Sequence, residues 1–156
     1  YHPPRNIGLS TLALTRHPVM IAVSAENPLA KLDRVALADL EPLSFVGFRR
    51  EASPQFHDRI QAECRARNFL PHFVTETGGE AEMLALVSAG VGVCFVNACQ
   101  RWRVPHAVRI LPLADFQVDL ELHYVWPEQA AELPVAHFGD VLRAVMAQDG
   151  GPAAAG

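Results

Sequence analysis

The chain has 156 residues, half of them hydrophobic, and carries a formal net charge of −4. This length and composition predict about one folded domain with a sizeable core, and they exclude a largely disordered chain. The acidic balance argues against nucleic-acid binding by the chain as a whole, although a local basic patch stays open, and no apolar run approaches the ~20 residues of a membrane helix.

The first third of the chain has strand-like segments separated by turns. Residues 19–23 form a continuous apolar run, which is typical of a buried strand. The predicted segments, in chain order, are an irregular beginning (1–10), strand-like residues at Leu12 and Leu14, a buried strand (19–23), a turn (27–30), a single helical turn (36–40) and a second strand (43–48).

A helix is predicted to follow this second strand. Ser53 and Pro54 have the pattern of an N-cap followed by proline at the first helical position, where the missing N–H costs nothing. Asn68 is the predicted left-handed terminator, since asparagine is the next best choice after glycine. The apolar face has the i, i+4, i+8 spacing and consists of Phe56, Ile60 and Cys64.

Residues 73–75 predict a short strand, and the stretch from residue 74 to residue 97 predicts a turn, an amphipathic helix, a glycine stop and a buried strand. Thr77 is the predicted N-cap, and Glu80 three residues later completes a capping-box pattern. Gly90 is expected to end the helix in a left-handed conformation, and Gly92 to allow a close backbone approach. The helix has an apolar face of Met83, Leu84, Leu86 and Val87.

The last third of the chain predicts two more strands and a final helix. The segments are a short polar helix (98–103), strands at 108–113 and 120–126, a helix at 134–146 and a frayed tail after residue 150. The side chains expected to point inward from the final helix are Val135, Phe138, Val141, Leu142 and Val145. The order strand–helix–strand–helix–strand predicts an α/β fold with parallel pairing.

Two predicted helix starts, at Ser53 and Thr77, follow strand-like segments. Both would direct free backbone N–H groups and the positive end of a helix dipole toward one sheet edge, where a carboxylate or phosphate binds well. The two hydroxyl groups would add donors, and Arg49 or Arg50 would add positive charge. The alternative is ordinary helix capping, which requires no ligand.

Other chemistries have weaker support in the sequence. The three cysteines and seven histidines lack zinc-ligand, HxH or HExxH spacing, and no GxSxG motif or P-loop lysine is present. No metal, cofactor or catalytic residue is therefore predicted, and the cysteines are interpreted as reduced thiols of a cytoplasmic protein. His57 either reaches a ligand from its helix start or is a solvated surface residue, and Arg101 to Arg103 form a small basic-aromatic patch.

Several short motifs, in this order and spacing, resemble the C-terminal part of the effector-binding domain of LysR-type transcriptional regulators. The strongest is LALVSAGVGV over residues 84–93. The others are HPVMIAV (17–23), NPLA (27–30) where the family favours HPLA, VALADL (35–40), FVGF (45–48), SPQF (53–56) and NFLP (68–71), which is similar to the family's GFxP. The chain departs from the family pattern at Asn27, Asn68 and Asn97.

The resemblance implies a periplasmic-binding-protein-like (type 2) effector-binding fold, with one complete lobe and part of the second. Residues 1–150 would form the partial domain, with about 20–108 as the second lobe and the remainder as first-lobe elements, and residues 151–156 would be a disordered tail. The winged helix-turn-helix, the linker helix and the opening strands of the first lobe are expected to be absent from an N-terminally truncated chain.

The implied function is that of a sensor rather than an enzyme. A small, anionic effector would bind in a cleft between the lobes and modulate DNA binding by the absent helix-turn-helix of a cytoplasmic dimer or tetramer. The family's effector contacts carry over to Pro54, Gln55 and Phe56 and to the vicinity of Thr77. With the helix starts, the predicted ligand-binding set is Arg49, Ser53, Pro54, Gln55, Phe56, Thr77 and Gly78.

Within this set, Phe56 is expected to pack against an apolar part of the effector and the helix starts to hold its acid group. Two other classes of function share the scaffold. One is a solute-binding protein for transport of a small anionic molecule, and the other is an enzyme, which would need a nucleophile or an acid–base pair at the strand ends.

Overall fold

The computed structural model describes residues 8–99, 104–130 and 134–149. The chain divides into two compact units, one of His17–Asp119 and one of Tyr1–Arg16 with Leu120–Gly156. The predictions for the first seven residues, for the basic-aromatic patch at 101–103 and for the tail at 151–156 lie outside the described residues.

The described residues alternate strands and helices, which confirms the predicted α/β class. The strands are β1 (Leu9–Ser24), β2 (Ser44–Phe48), β3 (His72–Thr77), β4 (Cys94–Asn97), β5 (Val108–Pro112) and β6 (Asp119–Pro127). The helices are α1 (Leu37–Leu40), α2 (Pro54–Ala66), α3 (Glu80–Ser88) and α4 (Pro134–Asp149), with short 3-10 turns at Pro28–Lys31 and Glu128–Ala130.

The strands of the His17–Asp119 unit pair in both directions. β2 and β3 are parallel, and a parallel bridge between Phe45 and Val93 links β2 to the start of β4. The predicted parallel pairing is wrong for β1, which runs antiparallel to both β4 and β5. The connection from β1 to β2 contains only short helical turns, whereas α2 and α3 provide the long crossovers that parallel strands require.

Aromatic rings form the centre of this unit. Phe45 is fully buried, and its ring centroid lies 5.8 Å from that of Phe69 and 5.3 Å from that of Phe95. Phe95 in turn stacks on Phe116 at 5.1 Å. Such ring pairs add to the area they bury. The buried residues of α2 are Phe56, Ile60 and Cys64, which confirms the predicted apolar face of this helix.

The observed ends of the helices can be compared with the caps and terminators that the sequence predicted. Asn68 and Gly90 have φ angles of 55° and 77°, so both predicted left-handed terminators are confirmed. Ser53 is the N-cap of α2, although its side chain makes no capping hydrogen bond. The predicted capping box at Thr77 is wrong, because the N-cap of α3 is Gly79, two residues later.

The second unit has α4 beside strand residues of β1 and β6. Gly139 is buried, and a Cβ atom there would lie 2.9 Å from Tyr124 and 3.2 Å from Leu12. The helix therefore makes its closest approach through glycine, and the predicted inward direction of Phe138, Val141 and Val145 is wrong. These three side chains are exposed, Leu142 is half-buried, and the side chain of Val135 lies outside the described residues.

Replacing Gly92 with alanine is expected to destabilise the fold. A Cβ atom at this position would lie 2.5 Å from the backbone oxygen of Ser44, which also accepts the Val93 N–H at 2.9 Å. Because backbone atoms have to move, Gly92→Ala should lower the free energy of unfolding by about 2–3 kcal/mol, measured by urea denaturation with circular dichroism.

Gly79→Ala is the matched control for this experiment, because a Cβ atom at Gly79 has open space around it and φ there is −155°. A loss at Gly92 no larger than that at Gly79 would contradict the close approach of β2 to the chain segment before β4.

Candidate functional site

The parallel strands β2 and β3 end side by side. Phe48 pairs with Thr77 at their last positions, and the Arg49 N–H continues the pairing by donating to the Thr77 carbonyl at 2.9 Å. Both helices that follow, α2 and α3, therefore start from this end of the sheet. We call Phe48, Arg49, Thr77 and Gly78 the carboxyl edge, which is where ligands of open α/β sheets bind.

The structure brings Arg49 and Gly78 together at the carboxyl edge. A Cβ atom at Gly78 would lie 2.5 Å from Arg49 Nη2, so the guanidinium group packs directly against the glycine backbone. Arg49 is exposed and forms no ion pair within the part of the chain that the structure describes. Its positive charge is thus available to an anion at this edge.

The two helix starts differ in charge. The first turn of α3 carries Glu80 and Glu82, and Glu82 Oε2 accepts the Gly78 N–H at 3.3 Å. These carboxylates compensate the positive end of the α3 dipole. The first turn of α2 carries no acidic residue. An anion is therefore better accommodated at α2 than at α3, a distinction that the sequence interpretation did not make.

The start of α2 leaves backbone donors without a side-chain cap. The Ser53 hydroxyl makes no capping hydrogen bond, and Pro54 occupies the first turn. Ser53 contributes its carbonyl, which accepts the His57 N–H at 3.0 Å. Gln55 is exposed at the first turn. Peptide N–H groups at an uncapped helix start bind anions well.

Thr77 does not have the role that the sequence predicted. Thr77 is only 2% exposed. Its hydroxyl lies 3.0 Å from the Gly79 carbonyl and 3.4 Å from the Gly47 carbonyl, and it donates its single proton to these acceptors. The hydroxyl is therefore a structural tie at the end of β3, because the last residue of the strand points inward rather than toward a ligand.

An apolar crevice lies under the start of α2. The rings of Phe48 and Phe56 meet edge to face at 5.8 Å, and Phe56 is 8% exposed. The crevice reaches Gly47, where a Cβ atom would lie 2.8 Å from the Phe73 ring. Its polar lining residues are His57 and Gln61, one helical turn apart on α2. The crevice is narrow, with a cavity volume of about 20 Å³, and most of its lining residues are apolar.

Arg50 is paired with a carboxylate of α2. Its guanidinium group makes two hydrogen bonds to the Asp58 carboxylate, at 2.8 and 2.6 Å, and the Asp58 Oδ1 atom also lies 3.1 Å from His57 Nδ1. The hydrogen bonds from Arg50 and then from His57 hold the pKa of Asp58 well below its usual range. Two arginines were predicted to supply positive charge to an anion. Because Arg50 is paired with Asp58, Arg49 is the one that stays available for this role.

Metal binding and thiol chemistry find little support among the described residues. No three histidine, cysteine, aspartate or glutamate side chains there come close enough to hold a metal ion. Burial raises the pKa of the Cys64 thiol to about 11 and also raises the pKa of Cys94. Both thiols stay protonated at neutral pH, which makes them poor nucleophiles.

Among the residues that the structure describes, no helix combines the length and the apolar character needed to cross a membrane.

Comparison with known proteins extends these observations. The model of the LysR substrate binding domain family matches residues 1–147. The uncharacterized HTH-type transcriptional regulator YnfL of Escherichia coli is 28% identical over 128 residues, covering 82% of this chain and 43% of that protein. The HTH-type transcriptional regulator IlvR of Caulobacter vibrioides is 34% identical over 134 residues, covering 83% of this chain and 44% of that protein. The chain thus spans less than half the length of these relatives.

Solved structures agree with this relationship at the level of the fold. The BenM effector binding domain with benzoate has a TM-score of 0.82 at 19% identity, covering 97% of this chain and 69% of that chain. The effector binding domain of QuiR in complex with shikimate has a TM-score of 0.71 at 17% identity, covering 96% and 70%. The expected periplasmic-binding-protein-like effector-binding fold is confirmed, and the chain belongs to the LysR substrate-binding domain family.

Proposed function

We propose that this chain senses a small carboxylate effector for a LysR-type transcriptional regulator and binds the acid group between Arg49 and the start of α2. The observation that carries the proposal is the Arg49 guanidinium group, which lies against Gly78 at the carboxyl edge. The same edge leads into α2, whose first turn carries no acidic residue. A carboxylate there would meet a full positive charge and a helix dipole together.

The predicted ligand-binding residues take different roles in this proposal. Arg49 supplies charge, and the first turn of α2 at Ser53, Pro54 and Gln55 supplies backbone donors and shape. Phe56 presents an apolar surface beside Phe48. Thr77 and Gly78 act through position, because Thr77 accepts the Arg49 N–H through its carbonyl and Gly78 leaves room for the guanidinium group.

The ligands of the structural neighbours support a carboxylate. Benzoate, bound by the BenM domain, and shikimate, bound by the QuiR domain, each carry one carboxylate on a six-membered ring. A site with one cation, one uncapped helix start and an aromatic edge matches this chemistry. We therefore propose a ring-bearing carboxylate as the first class of compounds to screen.

The relatives also suggest what the sensor controls. They are named as HTH-type transcriptional regulators, so we propose that a helix-turn-helix in the whole protein binds DNA and that this chain contributes the effector response. Effector binding would favour one of two pre-existing arrangements and thereby shift DNA affinity. A cytoplasmic homodimer or homotetramer is the expected assembly, to be measured by light scattering on the whole protein.

The competing functions have less support. A transport protein shares the fold, but the family model and the similar curated proteins are those of regulators. An enzyme would need an activated group at the carboxyl edge. The raised pKa values of Cys64 and Cys94 disfavour both as nucleophiles.

Replacing Arg49 with glutamine should weaken carboxylate binding without unfolding the chain. Removal of a charged hydrogen-bond donor should reduce affinity about ten- to a hundredfold, measured by calorimetric titration with benzoate, with shikimate and with other small carboxylates found by thermal shift. Arg109→Gln is the matched control, because Arg109 is an exposed arginine on β5. Equal affinities in both variants, or no carboxylate that binds the unaltered chain, would contradict the proposal.

Replacing Phe56 with leucine tests the apolar part of the site. The substitution keeps the residue apolar but removes the edge-to-face contact with Phe48, so affinity for benzoate should fall about three- to tenfold. Calorimetry gives the affinity, and urea denaturation gives the accompanying loss of stability. Phe116→Leu removes a buried ring that stacks on Phe95, and it should leave benzoate affinity within about twofold if Phe56 acts locally.

A further inference from the structure

We propose that Asp58 is a positioning residue that holds the proton of His57 on Nδ1, so that His57 Nε2 accepts a hydrogen bond from a hydroxyl group of the effector. The inference rests on the proposed carboxylate site and narrows its ligand to a hydroxylated carboxylate. It involves two residues that lie outside the predicted ligand-binding set.

Asp58 is held in place by a two-point contact. Arg50 Nε donates to Asp58 Oδ1 at 2.8 Å and Arg50 Nη2 donates to Oδ2 at 2.6 Å, a bidentate arrangement that fixes the plane of the carboxylate. His57 Nδ1 lies 3.1 Å from the same Oδ1 atom. The carboxylate is thus a fixed acceptor beside the imidazole ring.

The protonation state of Asp58 decides which ring nitrogen carries the proton. The pKa of Asp58 is lowered by the Arg50 hydrogen bond first and the His57 hydrogen bond second, so the side chain is an ionised carboxylate that only accepts. His57 Nδ1 must therefore donate. A neutral imidazole has one donor and one acceptor nitrogen, which leaves Nε2 as the acceptor.

His57 is placed to use this acceptor on a ligand. It lies on α2 next to Phe56, its side chain is 23% exposed, and it lines the crevice together with Gln61. The charged groups that face the imidazole are Asp58 and, through it, Arg50. The lining residues from β2, β3, β4 and α3 carry no titratable side chain. His57 and Gln61 are therefore the polar side chains that line the crevice.

If His57 Nε2 is a hydrogen-bond acceptor, it can bind only a group of the effector that donates a proton. An ionised carboxylate has no proton to donate, so His57 in this tautomer does not attract the acid group of the effector. The charge of Arg49 and the start of α2 attract the acid group instead. A hydroxyl group beside the acid does have a proton to donate. Sites built to bind a hydroxyl group discriminate against the analogue that lacks it, because the protein acceptor is then left unpaired.

The tautomer of His57 is measurable without any ligand. At pH 8, nitrogen-15 NMR of the ring should show the Nδ1–H form predominating in the 156-residue chain. Asp58→Ala should shift the ring toward the Nε2–H form. Asp140→Ala is the matched control, because Asp140 is also an exposed helical carboxylate paired with an arginine. A predominant Nε2–H form, or a tautomer unchanged by Asp58→Ala, would overturn the positioning role.

Paired ligands test the recognition of the hydroxyl group. Mandelate and phenylacetate differ by one hydroxyl group, as do malate and succinate. Calorimetry should give the hydroxylated member of at least one pair about fivefold or more tighter binding, with this preference lost in Asp58→Ala and the affinity of the other member unchanged. Equal binding within both pairs would refute the hydroxyl assignment alone. Absence of binding by all four acids would refute the hydroxyl assignment too, and the carboxylate site would be refuted as well only if benzoate and shikimate also failed to bind. The NMR result would still decide the role of Asp58.

Discussion

The parallel pairing of β2 and β3 is the constraint on which the rest of the site depends. Since Phe48 lies opposite Thr77, the chain leaves both strands at one edge, and the Arg49 N–H bonded to the Thr77 carbonyl extends that alignment beyond the strands. A parallel pair needs a long crossover, which α2 supplies. The position of Arg49 against Gly78 follows from this register.

Charge then distinguishes two helix starts that the backbone makes equivalent. Glu82 accepts the Gly78 N–H and lies in the first turn of α3, so the positive end of this helix already has a carboxylate partner. In α2 the first acid along the helix, Asp58, is bound to Arg50 and lies 3.1 Å from His57 Nδ1. The net result is one compensated and one uncompensated helix start. This asymmetry indicates how a single carboxylate would be oriented at the edge.

Local signals in the sequence predicted much of the fold, and non-local contacts account for what they missed. The left-handed φ angles of Asn68 and Gly90 depend on each residue's own backbone, and both were predicted. The direction of β1 and the exposed face of α4 depend on distant partners. Within the site, the helix start at Ser53 was predictable from its proline, whereas the Arg50–Asp58–His57 contact joins a loop to a helix and has no sequence pattern of its own.

The fold and the proposed binding function rest on largely separate residues. Phe45, Phe95 and Phe116 hold the sheet and helices together from the buried centre, whereas Arg49, Gln55 and Asp58 are exposed. Exposed charges contribute little to stability in high-dielectric surroundings, so their replacement leaves the core intact. Under the proposed function, ligand preference would therefore depend on the carboxyl edge and the first turn of α2, while the aromatic centre and the β2–β3 register keep that edge in place.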